Sequence, residues 1–99
     1  MAKALILSEK DNVAVLLEDV KEGEEIEARM NEFSKKVVSR GNIPFGHKVA
    51  LRTIGKGQPV IKYGETIGVA IEEISEGSHV HVHNVASTRG KRKRVGSTN

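Results

Sequence analysis

An eight-residue pattern that occurs three times limits what this chain can fold into. Asp19-Val20-Lys21-Glu22-Gly23-Glu24-Glu25-Ile26, Thr53-Ile54-Gly55-Lys56-Gly57-Gln58-Pro59-Val60 and Glu73-Ile74-Ser75-Glu76-Gly77-Ser78-His79-Val80 share one form. After the first residue of each comes an apolar residue, then two turn residues, a glycine and two polar or turn residues, and a second apolar residue closes the unit. Glycine supplies the positive φ that a hairpin connection of about three to five residues needs. The flanking apolar residues pin each turn to a core. Irregular spacing of the copies predicts similar turns within one compact β domain, because a solenoid would repeat at a fixed period.

Between the turns the pattern has period two. Val13, Val15 and Leu17 alternate with Ala14, Leu16 and Glu18 after the polar turn Lys10-Asp11-Asn12, which predicts a largely buried strand. Val49 and Leu51 alternate with Lys48, Ala50 and Arg52, and Val60-Ile61, Ile67 to Ile71 and Val80-Val82 follow at short intervals. One stretch admits two readings. Ile26, Met30, Phe33 and Val37 are spaced four, three and four, as on a helix, yet Lys35-Lys36-Val37-Val38 reads as a strand and Ile26 as part of a hairpin. The expected fold is therefore mainly β, with at most one short helix.

The 99 residues suit a single domain, taken as residues 1–88. Phe33, Phe45 and Tyr63 are the only aromatic residues, so the core is expected to be a thin aliphatic one with little room for a deep pocket. The absence of cysteine excludes disulfides, zinc–thiolate sites and cysteine nucleophiles. The start reaches Glu9, Lys10 and Asp11 too early for a signal peptide, and no apolar run approaches the roughly 20 residues of a membrane span. A cytoplasmic protein is expected. The net charge of +3 includes five cations, Arg89, Lys91, Arg92, Lys93 and Arg94, and without them the body stands at −2. Residues 89–99 read as a basic flexible tail. A nucleic-acid contact through that tail ranks last, since it lacks interleaved aromatics and joins an acidic body.

His79-Val80-His81-Val82-His83-Asn84 is the strongest chemical signal. On a continuous strand the three imidazoles would share one face and Val80 and Val82 the other. Same-face neighbours lie about 6.6 Å apart and His79 and His83 about 13 Å, so His81 with one neighbour is the pair expected to converge on a metal. The bland alternative is an exposed strand with histidine at its polar positions. A second cluster, Gly46-His47-Lys48 with Arg52, Lys62 and Tyr63-Gly64 beyond it, could hold carboxylate oxygens. Ordinary surface cations on edge strands explain Lys62 and Arg52 equally well. His47 is the better candidate, because a turn positions it. No Walker loop, no GxGxxG, no HExxH and no serine triad is present.

Gly46-His47-Lys48-Val49-Ala50-Leu51-Arg52, Gly57-Gln58-Pro59-Val60-Ile61-Lys62-Tyr63-Gly64, Ile67-Gly68 and His79 to Asn84 together resemble the SAF domain of the altronate/galactarate dehydratase family. The opening, with Asp11-Asn12-Val13-Ala14-Val15 and Asp19 to Gly23, is similar too, and the likeness covers roughly residues 4 to 87. It departs at Thr53 and Ser78, where acidic residues are usual, and is weakest from Arg29 to Asn42. The resemblance implies a β-clip fold, a long folded hairpin packed on itself. It implies a lyase acting on a 2-hydroxy acid, releasing water or sulfite, with a divalent metal, Fe(II) or alternatively Mn(II). In some members the domain begins a long chain; in others it is a separate small subunit. A larger catalytic subunit is accordingly the expected partner, with a sugar acid or sulfolactate-like molecule as substrate. The general base is expected on that partner, the isolated chain is expected to be inactive, and a homo-oligomer stays open. On this reading His79, His81 and His83 are the metal candidates, and His47, Lys48 and Lys62 the substrate-binding ones. The alternatives are a stand-alone module that binds sugar acids or anions, and a structural assembly domain without catalysis.

Overall fold

The computed structural model describes residues 1–87; the basic tail lies outside the described residues. Nine short strands form two sheets, and the described residues contain no helix. They are β1 (Ala2–Leu5), β2 (Val13–Leu16), β3 (Glu25–Met30), β4 (Phe33–Val38), β5 (Lys48–Ala50), β6 (Pro59–Lys62), β7 (Glu65–Ala70), β8 (His79–Val80) and β9 (Val85–Ser87). The larger sheet has the order β4-β3-β1-β2-β5-β8 and the smaller β6-β7-β9. Only β1 and β3 run parallel; every other pairing is antiparallel. This small curled all-β architecture agrees with the mainly β fold expected of the sequence.

The segment that admitted a helix is the β3–β4 hairpin. Its apolar residues pair across the two strands, Ile26 with Val37 and Met30 with Phe33. A hairpin is symmetric about its turn, so two cross-strand pairs mimic the four-three-four spacing of a helix. Asn31 at the turn takes φ 55°, a left-handed conformation that asparagine tolerates better than most residues.

The turn pattern occurs four times and not three. The fourth copy, Asn42-Ile43-Pro44-Phe45-Gly46-His47-Lys48-Val49, is disguised by Pro44 and Phe45, where the other copies have Lys21-Glu22, Gly55-Lys56 and Ser75-Glu76. All four glycines sit at φ between 83° and 88°. The turns work in pairs. Val20 and Ile43 exchange backbone hydrogen bonds of 2.8 Å, and so do Ile54 and Ile74. Each glycine N–H then donates to the carbonyl four residues before the bridging residue of its partner turn: Gly23 to Ser39, Gly46 to Leu16, Gly57 to Ala70 and Gly77 to Ala50. Side chains at the first position of the pattern close the ends. Asp19 accepts from Phe45 N–H at 2.8 Å, Asn42 from Glu22 N–H at 3.0 Å and Thr53 from Glu76 N–H at 3.3 Å. Thr53 thus supplies an oxygen acceptor at this position as Asp19 does in its own turn.

Two aliphatic cores result. Ala14, Leu16, Val49 and Leu51 face one with Ile26 and Ile43, while Val13 and Ala50 face the other with Ile54, Val60, Ile74 and Val80. Strands β2 and β5 therefore lie between the cores and are covered on both sides, which is why their sequences read as almost continuous apolar runs. The buried polar side chains Asp11 and Asn12 tie the β6–β7 hairpin down. Asp11 accepts from Gly64 N–H at 2.8 Å, and Asn12 accepts from Ile61 N–H at 2.8 Å and donates to the Pro59 carbonyl at 2.9 Å.

Candidate functional site

Strand β8 is only two residues long, and this decides the arrangement of the imidazoles. The chain bends at His81 and turns through Asn84, so the single three-histidine strand face expected from the sequence does not form. Val82, expected to point inward, is 80% exposed. Asn84 holds the turn from inside. It is buried, donates from Nδ2 to the His79 carbonyl at 2.9 Å and accepts at Oδ1 from His81 N–H at 3.0 Å. Two of the imidazole-bearing residues thus have their main chain fixed by one amide.

A third imidazole arrives from β5. Lys48 pairs with Val80 and Val49 with His79, and one further step of that antiparallel register sets His47 opposite His81. The turn that carries His47 is the disguised fourth copy, with Gly46 in the left-handed conformation and Asp19 capping Phe45. The His47 and His81 rings stack at 4.0 Å and 14° between planes. His79 joins them: its Nε2 lies 2.8 Å from Nδ1 of His47, so one of these nitrogens donates to the other. One ligand-type nitrogen from each of His47, His79 and His81 falls within 4.8 Å of the others. Three nitrogens bound to one ion at about 2.1 Å in tetrahedral geometry would lie about 3.4 Å apart. The 2.8 Å between His47 Nδ1 and His79 Nε2 is somewhat shorter than that, and the three ligand atoms stay within 4.8 Å of one another. His83 is exposed and stands outside this group, its ring 5.1 Å from that of His79 and tilted by 41°.

The electrostatics favour the neutral form of His79 and His81. Burial, followed by the neighbouring charges of His83, His47, His81 and Lys48, pushes His79 down to about 4. Burial and then His47, Lys48 and His83 lower His81 as well. Neutral rings offer their lone pairs at neutral pH without first losing a proton. Burial also lowers the Lys48 ammonium, and the charge on Lys62 adds to the effect, so these two side chains lie within electrostatic reach of one another. Lys48 and His81 share a pocket of about 130 Å³ with Ile67, Val82, Val85 and Ser87. That volume is below the roughly 300 Å³ of a typical small-molecule site. A larger cavity of about 520 Å³ lies elsewhere, between Met30, Phe33, Ile6 and Leu51, and contains none of the histidines.

The structure therefore brings together His79, His81 and Lys48 from the sequence expectation, puts Lys62 within electrostatic reach of Lys48, moves His47 into the imidazole group and leaves His83 beside it. The sequence reading missed Asn84 and Asp19 as supports. The repeated turn pattern could have exposed both the fourth turn and its acidic cap. Among the described residues no helix is long and apolar enough to cross a membrane.

Comparison with known proteins places the geometry in context. Residues 2–88 match the family model described as the altronate/galactarate dehydratase SAF domain. The chain is 47% identical over 74 residues to altronate dehydratase of Escherichia coli (strain K12), covering 75% of this chain and 14% of that one. It is 36% identical over 84 residues to altronate dehydratase of Bacillus subtilis (strain 168), covering 85% of this chain and 16% of the relative. The (2R)-sulfolactate sulfo-lyase subunit alpha of Paracoccus pantotrophus is 43% identical over 54 residues, which cover 54% of this chain and 81% of that subunit. The chain thus spans only about a sixth of the altronate dehydratases it matches.

Proposed function

The chain belongs to the altronate/galactarate dehydratase SAF domain family, and from that premise we propose that it is the small subunit of a sugar-acid dehydratase, such as altronate dehydratase, or of a related sulfo-lyase. It acts with a larger catalytic subunit in β-elimination from a 2-hydroxy acid. The observation that carries this reading is the convergence of His47, His79 and His81 beside Lys48, at a sheet edge where His81 borders an open pocket of about 130 Å³ and His79 and His83 another of about 360 Å³. Such a site offers metal ligands and a cation but no enclosing wall, as expected of one half of an active site.

The residues present fit a divalent transition metal. Imidazole nitrogen suits such ions, and burial of His79 keeps its ring neutral. His47, His79 and His81 would hold it, with His83 as an outer imidazole, and Fe(II) is the ion this reading favours. A bound ion would supply Lewis-acid charge where negative charge gathers on the substrate carboxylate. The chain's own contribution is orientation. Lys48 and Lys62 hold the carboxylate or hydroxyl oxygens of the substrate, and the Asn84 turn keeps His79 and His81 facing them. In the reaction a base removes the proton next to the carboxylate while the 3-hydroxyl, or sulfite, departs from the neighbouring carbon. That base belongs to the larger subunit.

The test is reconstitution. This chain, mixed with the large subunit, should dehydrate altronate or galactarate or release sulfite from sulfolactate, and either chain alone should be inactive. His81→Ala and His47→Ala should each lower turnover by about 100-fold or more, and should remove bound metal from the isolated chain as measured by elemental analysis. Unchanged turnover in both variants would refute the assignment.

A further inference from the structure

The chain's three aromatic residues all lie on the surface. Phe33 is 58% exposed, Phe45 63% and Tyr63 73%, while the buried apolar residues are Ile, Val, Leu and Ala. Exposed aromatic side chains are the usual anchors of protein interfaces, because a large apolar area is gained there for little lost side-chain freedom. Their positions differ. Phe33 begins β4, at the opposite edge of the larger sheet from β8. Phe45 directly precedes Gly46-His47, and the exposed Val82 stands between His81 and His83. Exposed apolar groups therefore flank the imidazole group on both of its chain segments.

Neither of these two groups dangles. The Phe45 main chain is tied to Asp19 and the Val82 turn is clamped by Asn84. A surface whose main chain is already fixed beneath its exposed apolar side chains loses little freedom when it binds. Strand β9 ends at the same place. Ser87, the last described residue, lines the pocket formed by Lys48, His81 and Val82. The corresponding segment is the N-terminal region of the altronate dehydratases, about a sixth of their length. A polypeptide continuing from that point starts beside the imidazoles.

We propose that the face built from Phe45, Val82 and the imidazole group docks the companion polypeptide that corresponds to the rest of an altronate dehydratase. This rests on the subunit reading above and adds where the two chains meet. The surface that fits has an apolar recess for Phe45 and Val82 and leaves Lys48 and Lys62 to the substrate. Docking would also close the open side of the site.

The companion to use is the chain from the same genome that matches the portion of an altronate dehydratase beyond this segment. Its affinity for this protein is measured by calorimetry, with metal content and melting temperature recorded for every variant. Phe45→Ser and Val82→Ser should each weaken binding by about tenfold or more, while Phe33→Ser on the far edge should stay within about twofold. Metal content should match the unaltered chain throughout, which separates docking from the metal site. Should Phe45→Ser fail to fold, Val82→Ser reads the same face from an exposed turn position. Loss of binding in Phe33→Ser alone would move the interface to the β4 edge and overturn the proposal. Self-association that Val82→Ser abolishes, with companion binding unaffected, would overturn it in favour of a second copy. No binding by the unaltered chain would also overturn it, and metal uptake by the isolated domain would still report on the functional reading independently.

Discussion

Asn84 has the side chain whose loss should be felt farthest from its own atoms. Its amide satisfies a carbonyl at His79 and an N–H at His81, and it is buried while doing so. Asn84→Ala should cost on the order of 1–3 kcal/mol of stability, the range for leaving buried hydrogen-bonding groups unpaired. It should also weaken metal binding by about tenfold or more, as loss of ligand-orienting contacts does elsewhere. Chemical denaturation and metal titration check the two effects separately. His79 gives a pH signature. Its folded-state value of about 4 lies below the roughly 6.5 of a free imidazole, so between those values the unfolded chain binds a proton that the folded chain does not. Stability should therefore fall as pH drops through that window and be independent of His79 above it. Melting temperatures at closely spaced pH values should show a shallower decline in His79→Asn than in the unaltered chain. Equal slopes would mean that His79 is not held neutral.

At the scale of elements, the four turns are similar in backbone but not in surroundings. A Cβ on Gly57 would meet nothing within 4 Å, so Gly57→Ala carries only the left-handed backbone cost of about 1–2 kcal/mol. A Cβ on Gly77 would also run into the carbonyl oxygen of Val38, the last residue of β4. Gly77→Ala should therefore be the more destabilising substitution in urea titrations, and it should disturb His79, two residues on. Equal losses would indicate that the turn pairs are not packed as described. Gly77 N–H donates to the Ala50 carbonyl, and the Gly77 carbonyl accepts from Arg40 N–H at 3.0 Å, so this one turn joins the two halves of the domain. The β3–β4 hairpin shows the limit of period-based reading. Ile26, Met30, Phe33 and Val37 fit a helix in sequence, and only the pairing of Ile26 with Val37 resolves the ambiguity.

For the molecule as a whole, the notable property is what it does not enclose. Its aliphatic cores are consumed by holding nine short strands together, and its chemical groups are left at one edge of a sheet. A metal bound by the folded chain and not by the unfolded one stabilises by mass action, about 2.7 kcal/mol at 100 times the dissociation constant. Thermal melts of the isolated domain should thus shift upward with a divalent transition metal. The shift should vanish in His47→Ala and His81→Ala and persist in Lys62→Ala. A shift that survives both histidine substitutions would place the ion elsewhere.

The amino-acid order by itself determined the β character, the positions of three turns and the residue types available for chemistry. These are local properties: glycine at a left-handed position and alternation along a strand need no distant partner to be read. It also supplied the likeness to the SAF domain, whose motifs lie in those same turns and strands. Which imidazoles meet was decided by tertiary structure alone. His47 and His79 are 32 residues apart in the chain, and only the antiparallel register of β5 with β8 brings them within 2.8 Å. The turn at Asn84 ended the strand that would have aligned His79, His81 and His83, and Val82 was turned outward with it. Register is set by hydrogen bonds between distant segments, so an isolated run of residues does not encode it.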